Sequence, residues 1–292
     1  MLTAIIPSAN RASVLHETVI SLTNQSLKPD EILISVAEPE RDVTQPTLRI
    51  PGVRVVVGPE GLTQQRNTAI AGLRSDCTLV SFFDDDVELH PEYLLRCRSF
   101  LSEHTEVAGV SGHPVADGRL IGEITRHEAV RLLTDRPLRP PPGHRPRFAL
   151  AGFDMTVRRD VVEKVKFDER LSLYGVYEDF DFSVQCKRFG LLMTVDRCLL
   201  VHLRAGASRV SSVRLGYAQL VNPLYLWRKG SQEWYPTLHI CARSLFGNAA
   251  GCVIARQGIS RAERRKRLWG NTLGLRDVVL SGLEPELSLI HI

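Results

Sequence analysis

The chain has 292 residues, 43% of them hydrophobic and 24% charged, and a net charge of +4. That composition fits one globular domain with an appendage, and the charge is too mild to argue for nucleic acid as a partner. The start, MLTAIIPSAN, lacks the basic and apolar regions of a signal peptide, and the most apolar stretch, Ser244 to Ala255, falls short of the roughly 20 residues a spanning helix needs.

LTAIIP (2–7) reads as a first buried strand, with Asn10 capping a helix that places Leu15, Val19 and Leu22 on one face. EILISV (31–36) and VRVVV (53–57) are the second and third strands. GLTQQRNTAIAGL follows, with Thr63 as a cap and Ala69, Ile70 and Leu73 as its apolar positions. TLVSFF is the fourth strand. Pro91 suits the first position of a helix running to about Leu101, and Val107 to Val110 suggests a further strand. Such alternation argues for a layered α/β fold with a mostly parallel sheet. The Pro- and Arg-rich RPLRPPPGHRPR (136–147) breaks the pattern and is expected to be an exposed loop near a ligand. Beyond FALAGFDMTVRR and a short helix, a second helix carries Phe182, Cys186 and Phe189 on one face, and LLMTVD and CLLVH are short strands. From about residue 213 the chain reads as helical to its end. Two domains are therefore expected, 1–212 and 213–292. The six cysteines form no CxxC pair and mostly have apolar neighbours, which reads as reduced core thiols in a cytoplasmic protein.

The fourth strand ends in Asp84, Asp85 and Asp86. Adjacent carboxylates repel and are costly to desolvate, and a turn needs only one or two. Hard oxygen ligands at the C-terminal end of a strand suit Mg2+ or Mn2+ bridged to phosphates, the competing reading being a solvated acidic turn. Glu178 and Asp179 precede a helix, where Asp179 is either a cap or a carboxylate that serves as base to an acceptor hydroxyl. His202 ends an apolar strand and is structural unless the fold carries it to the aspartates. Gly152 either admits a ligand close to the backbone or marks a bulge. Arg66 either reaches a phosphate or lies on a solvated helix face.

In joint order and spacing the chain resembles the family-two glycosyltransferases of the GT-A nucleotide-sugar fold over about residues 2 to 204. The stretches that carry the resemblance are AIIPSANRASVLHETVISLTNQSLKPDEILISV, GPEGLTQQRNTAI, SFFDDDVELHPEYL and AGFDMTVRRDVVEKVKFDERLSLYGVYEDFDFSVQCKRFG. The resemblance implies a Rossmann-like, mixed, mostly parallel sheet flanked by helices, with a helical C-terminal extension. It implies an inverting, metal-dependent transfer of sugar from a nucleotide-diphosphate donor to the hydroxyl of a glycan or lipid-linked acceptor, in polysaccharide or glycolipid synthesis. Asp84 and Asp85 then face the ribose and pyrophosphate, Asp86 ligates the divalent ion with Asp84, and His202 stands where this fold often has a further metal ligand. Asp179 becomes the base and Glu178 places the acceptor. Gly152 lines the sugar pocket, and Pro7, Arg11 and Arg66 help hold the nucleotide. Two departures stand out. The second strand ends in Ser35-Val36-Ala37-Glu38-Pro39-Glu40 rather than an Asp-rich turn, leaving Glu38 as the substitute at the base, and Gln65 replaces a small residue before Arg66.

ARQGISRAERRKRLWG (255–270) is strongly basic, and LFGNAAGCVIA with Trp227, Trp234 and Trp269 lies nearby. The stretch is either a solvated helix face or a peripheral contact with an anionic membrane on its inner side. Other classes fit less well. A haloacid-dehalogenase-type phosphatase wants Thr or Val where Glu88 stands. A nucleotide-sugar pyrophosphorylase wants a Gly-rich basic loop where SANR stands, and GxGxxG for a dinucleotide is missing. A non-catalytic nucleotide-sugar-binding relative is the non-enzyme alternative.

Overall fold

The computed structural model describes residues 1–134, 143–172, 175–205, 211–254 and 259–289. The expected loop over 136–142 lies outside the described residues. The chain divides into two compact units, Met1–Phe167 with Phe182–Ala207, and Asp168–Asp181 with Ser208–Ile292.

The first unit opens with β1 (Leu2–Pro7), α1 (Ala12–Thr23), β2 (Glu31–Val36), the short helices α2 (Pro39–Asp42) and α3 (Gln45–Leu48), β3 (Val53–Val57) and α4 (Leu62–Ala71). Next come β4 (Leu79–Phe83), β5 (Val87–Leu89), α5 (Tyr93–Glu103) and β6 (Val107–Asp117). They are followed by α6 (Gly118–Ile121), α7 (Arg126–Thr134), β7 (His144–Pro146), β8 (Asp154–Arg158) and α8 (Arg159–Val162). The helix α9 (Glu178–Cys186), whose residues up to Asp181 belong to the second unit, and β9 (Leu191–His202) follow. The strands form one mixed sheet in the order β3-β2-β1-β4-β8-β6-β9-β5, with β7 paired to β9. β1 pairs parallel with β2 and β4, and β2 parallel with β3, whereas β8 runs antiparallel to both β4 and β6. This is a GT-A-like α/β fold.

All six residues of β1 and of β2 are buried, because helices cover both faces of the sheet. Alternate side chains serve opposite layers. Ile6 and Phe83 join Leu15, Val19 and Leu22 of α1 and Leu94 of α5 in one core. Ile5 and Phe82 join Met155, Phe167 and Phe182 in the other.

Several local expectations give way to tertiary demands. Asn10 does not cap α1. It takes a left-handed conformation (φ 60°) and donates its backbone N–H to Asp42. Thr63 lies inside α4, whose cap is Gly61 at φ 137°, and Pro91 precedes the Glu92 cap of α5. β6 runs well past Val110. LLMTVD and CLLVH are one continuous strand, β9, because β6 pairs along its length across register shifts. Residues 144–146, expected in a loop, pair antiparallel with β9 as β7. Phe189 lies beyond the end of α9 and is exposed against Lys164, whereas Phe182 and Cys186 are buried. All six cysteines are free thiols.

The second unit holds α10 (Ser212–Lys229), α11 (Trp234–Val253), α12 (Arg261–Leu280) and a 3-10 turn, Pro285–Leu289. No helix among the described residues is long and apolar enough to cross a membrane. α10 and α12 meet through glycines. A Cβ on Gly216 would sit 2.0 Å from the Arg267 carbonyl, and one on Gly270 would sit 1.9 Å from the Val213 carbonyl. Backbone cannot step aside as a side chain can, so Gly270→Ala is predicted to destabilise the protein by about 1–3 kcal/mol, the usual cost of overpacking. Urea unfolding measures this, and an unaltered midpoint would contradict the close packing.

Candidate active site

β4 delivers Asp84, Asp85 and Asp86 to its C-terminal end, and the turn into β5 fans them apart. Asp84, partly exposed, faces Arg66 (3.3 Å). Asp85 turns back to the loop after β1, accepting from Ser8 Oγ (2.6 Å) and pairing with Arg11 (2.8 Å). Burial pushes the Asp85 carboxyl up to about 7, with Arg11 opposing the rise and Asp86 adding to it. Asp86 is also buried. Burial works against its charge, yet His202 and Arg11 (2.7 Å) hold it below the usual carboxylate range.

His202 reaches this turn because β5 pairs antiparallel with the end of β9, in the register Val87↔His202, and Leu203 N–H donates to the Asp86 carbonyl (2.9 Å). Oxygens of Asp84 and Asp86 and a ring nitrogen of His202 lie within 4.8 Å of one another. Nε2 is 3.5 Å from Asp86, and Nδ1 is 2.9 Å from Asp117, the last residue of β6. Burial disfavours the imidazolium, but Asp117 and Asp86 push the His202 pKa up to about 9. Two carboxylates and an imidazole are a donor set that suits Mn2+ or Mg2+. A carboxylate on Nδ1 is the arrangement that fixes the tautomer and aims Nε2 at an ion.

No signal in the sequence marked Asp117, which ends a strand opposite a residue 85 positions away. Its own support is elaborate. Arg119 pairs with it at 2.8 Å and lies over the Phe153 ring, which in turn stacks on His202 with centroids 4.6 Å apart and planes 3° from parallel. Asp117→Asn is predicted to lower Mn2+ affinity by about 10–100-fold, as outer carboxylates of metal-bound histidines do. A titration followed by the paramagnetic resonance of free Mn2+ measures it, and an unchanged affinity would exclude this role.

Arg66 is 0% exposed, so it does not lie on a solvated helix face. Its guanidinium donates to the Gly152 carbonyl (2.6 Å), pairs with Asp84 and lies over the Phe167 ring at 5.1 Å. Asn67 exchanges two hydrogen bonds with the Phe167 backbone, holding that ring in place. Gly152 lies in the tight turn that joins Ala151 to Asp154. Gln65, the departure noted above, donates to the Ser8 and Ser35 carbonyls and so ties the ends of β1 and β2 together. Pro7 is buried at the end of β1, opposite Ser35. Glu38, two residues past β2 at the N-cap of α2, is exposed and pairs with Arg41 (2.8 Å). Asp42, which the sequence did not single out, is buried and accepts from the backbone of Asn10 and Glu38, joining the two loops.

Glu178 and Asp179 open α9 in the second unit. Glu178 is buried and Asp179 partly exposed. The preceding turn is bent by left-handed residues, Gly175 (φ 54°) and Tyr177 (φ 71°). α10 braces this segment. Lys229 bridges Asp168 and Asp181 (both 2.7 Å), Asn222 donates to the Val176 carbonyl, and Tyr177 and Phe180 pack on Leu171, Tyr225 and Leu226.

The structure thus sets a possible Asp84, Asp86 and His202 ion site at the end of a strand in a GT-A-like sheet. The chain belongs to glycosyl transferase family 2, whose profile matches residues 3–166. That family implies a nucleotide-sugar donor and a glycan acceptor, and it usually uses divalent cations. Among solved structures, the crystal structure of S. aureus TarS 1-349 is similar, with a TM-score of 0.51 and 14% sequence identity over 96% of this chain and 72% of that one. At that identity the likeness concerns the fold. No curated protein sequence matches the chain.

Proposed function

We propose that this glycosyltransferase is metal-dependent and inverting, and moves a hexosyl or deoxyhexosyl group from a nucleotide-diphosphate sugar to an acceptor hydroxyl in polysaccharide or glycolipid synthesis. The observation that carries this reading is the convergence of Asp84, Asp86 and His202 at the end of β4. Those three residues would hold a divalent ion, whose charge offsets that of the leaving diphosphate. Arg66 holds Asp84 in place, and Asp117 holds His202. Arg11 lies beside Asp85 and Asp86, and its guanidinium would pair with a phosphate of the donor. Asp179 takes the proton of the acceptor hydroxyl as that oxygen bonds to the anomeric carbon, while the bond from that carbon to the diphosphate oxygen breaks. The nucleoside diphosphate departs, and one displacement inverts the anomeric configuration. No carboxylate nucleophile is required, in contrast to retaining hydrolysis.

A panel of nucleotide sugars, screened for nucleoside diphosphate release with and without Mn2+, tests this. Release that requires Mn2+ and an acceptor is expected. Nucleotide binding without turnover for every donor would instead point to a non-catalytic nucleotide-sugar-binding relative.

A further inference from the structure

α11 and α12 are built inside out. Against their helical neighbours they bury small and polar residues: Thr237, Asn248 and Gly251 on α11, and Gly270, Asn271, Gly274 and Asp277 on α12. Asn248 donates to Asn271, and Asn271 donates to the Gly216 carbonyl. The large apolar side chains face the other way. Tyr235, Leu238, Phe246 and Val253 follow the helical repeat along one exposed stripe of α11, with Phe246 70% exposed, and α12 exposes Trp269, Val279 and Leu280. A helix that packs on water-soluble neighbours buries its apolar stripe. Small residues at close helix contacts, amide side chains bonded across them and apolar residues outside are the pattern of helices that meet lipid.

The charge on the same helices identifies the lipid. Arg261, Arg265 and Lys266 are exposed on the first turns of α12, with Trp269 one turn on from Arg265. The only acid there, Glu263, is engaged in the capping box with Ser260. Neither helix is long and apolar enough to cross a membrane, which suits helices that lie in the plane of the interface.

We infer that the outer faces of α11 and α12 rest on an anionic membrane surface, the apolar stripe entering the headgroup boundary and the basic turns of α12 meeting acidic lipid. A second copy of this chain fits the face less well, because it would set these basic turns against the same basic turns or leave them unmatched.

Flotation of the full chain tests the inference, using vesicles of phosphatidylcholine alone and of phosphatidylcholine with phosphatidylglycerol in equal parts. No donor or metal is needed, so the result is independent of the proposed transfer reaction. The wild type is expected to float with the mixed vesicles and far less with phosphatidylcholine alone. Leu238→Glu with Phe246→Glu should cut partitioning by at least about tenfold, given the apolar area withdrawn. Arg265→Ala with Lys266→Ala should cut it by on the order of tenfold on mixed vesicles only, from the contribution of each basic residue near acidic lipid. All four positions are at the surface, and circular dichroism checks that each variant is folded. Wild type that ignores the mixed vesicles overturns the inference, as do variants that float like wild type. A dimer in light scattering that Phe246→Glu dissolves, with no vesicle binding, would assign the face to a second copy instead.

Discussion

Replacing Asp86 with alanine is expected to abolish Mn2+-dependent binding of nucleoside diphosphates. Outer partners of a metal ligand are worth about 10–100-fold in affinity, so losing a direct ligand should cost more than about 100-fold. Asp86 serves His202 on one side and Arg11 on the other while buried. The variant therefore also leaves two cationic groups without their common partner. If that loss unfolds the chain, Asp84→Asn is the gentler substitution, since Asp84 is a third exposed and has Arg66 as its ion-pair partner. Calorimetry with Mn2+ and a set of nucleoside diphosphates distinguishes the outcomes. Affinity that survives Asp86→Ala and Asp84→Asn, in folded protein and with Mn2+ present, would place the ion elsewhere or remove it from the mechanism. Asp85→Asn should behave differently from both. Its oxygens are engaged by Ser8 and Arg11, so the effect should appear as a loosened loop after β1 more than as lost metal affinity.

Asp179→Asn should separate binding from chemistry. The amide keeps the size of the carboxylate but cannot accept the acceptor's proton. Transfer should fall by about 10²–10⁴-fold, the contribution of a positioned general base. Nucleotide affinity should hold, because no metal ligand is altered. Rapid-quench measurement of single-turnover transfer, beside calorimetry of nucleotide binding, reads both quantities on one protein. Transfer at the wild-type rate would assign the base to another group. Glu178→Gln provides the contrast, being expected to act mainly on the acceptor KM. The bracing of this segment by α10 predicts that changes at Lys229 disturb Asp179 indirectly, since one ammonium holds both Asp168 and Asp181.

Much of the site was readable in the order of residues. Asp84, Asp85 and Asp86 announce themselves because three adjacent acids at the end of an apolar strand need a reason to stay together. Arg66 and Asn67 were visible as a motif, but their work was not. A guanidinium on a short helix gives no sign in sequence that it will be buried between a carbonyl, a carboxylate and the Phe167 ring. Asp117 and Asp42 escaped notice, and Gln65 stood out only as a departure from the family pattern, because each is an ordinary polar residue whose importance comes only from what lies across the fold from it. The inside-out character of α11 was likewise hidden, since the sequence shows apolar and polar positions but not which of them faces a neighbour.

The sequence by itself determined that apolar strands alternate with amphipathic helices, and so a layered α/β fold. It also placed carboxylates where a strand ends and ligands gather, because local periodicity and charge repulsion act between near neighbours along the chain. Only the tertiary structure decided that His202 joins Asp84 and Asp86, and that Asp117 holds it there. Those meetings depend on β5 pairing antiparallel with β9 and β6 running beside it, with Asp117 opposite His202. Strand pairing across more than a hundred residues, from Val87 to His202, is set by the packing of the whole sheet. No local pattern around either residue encodes it.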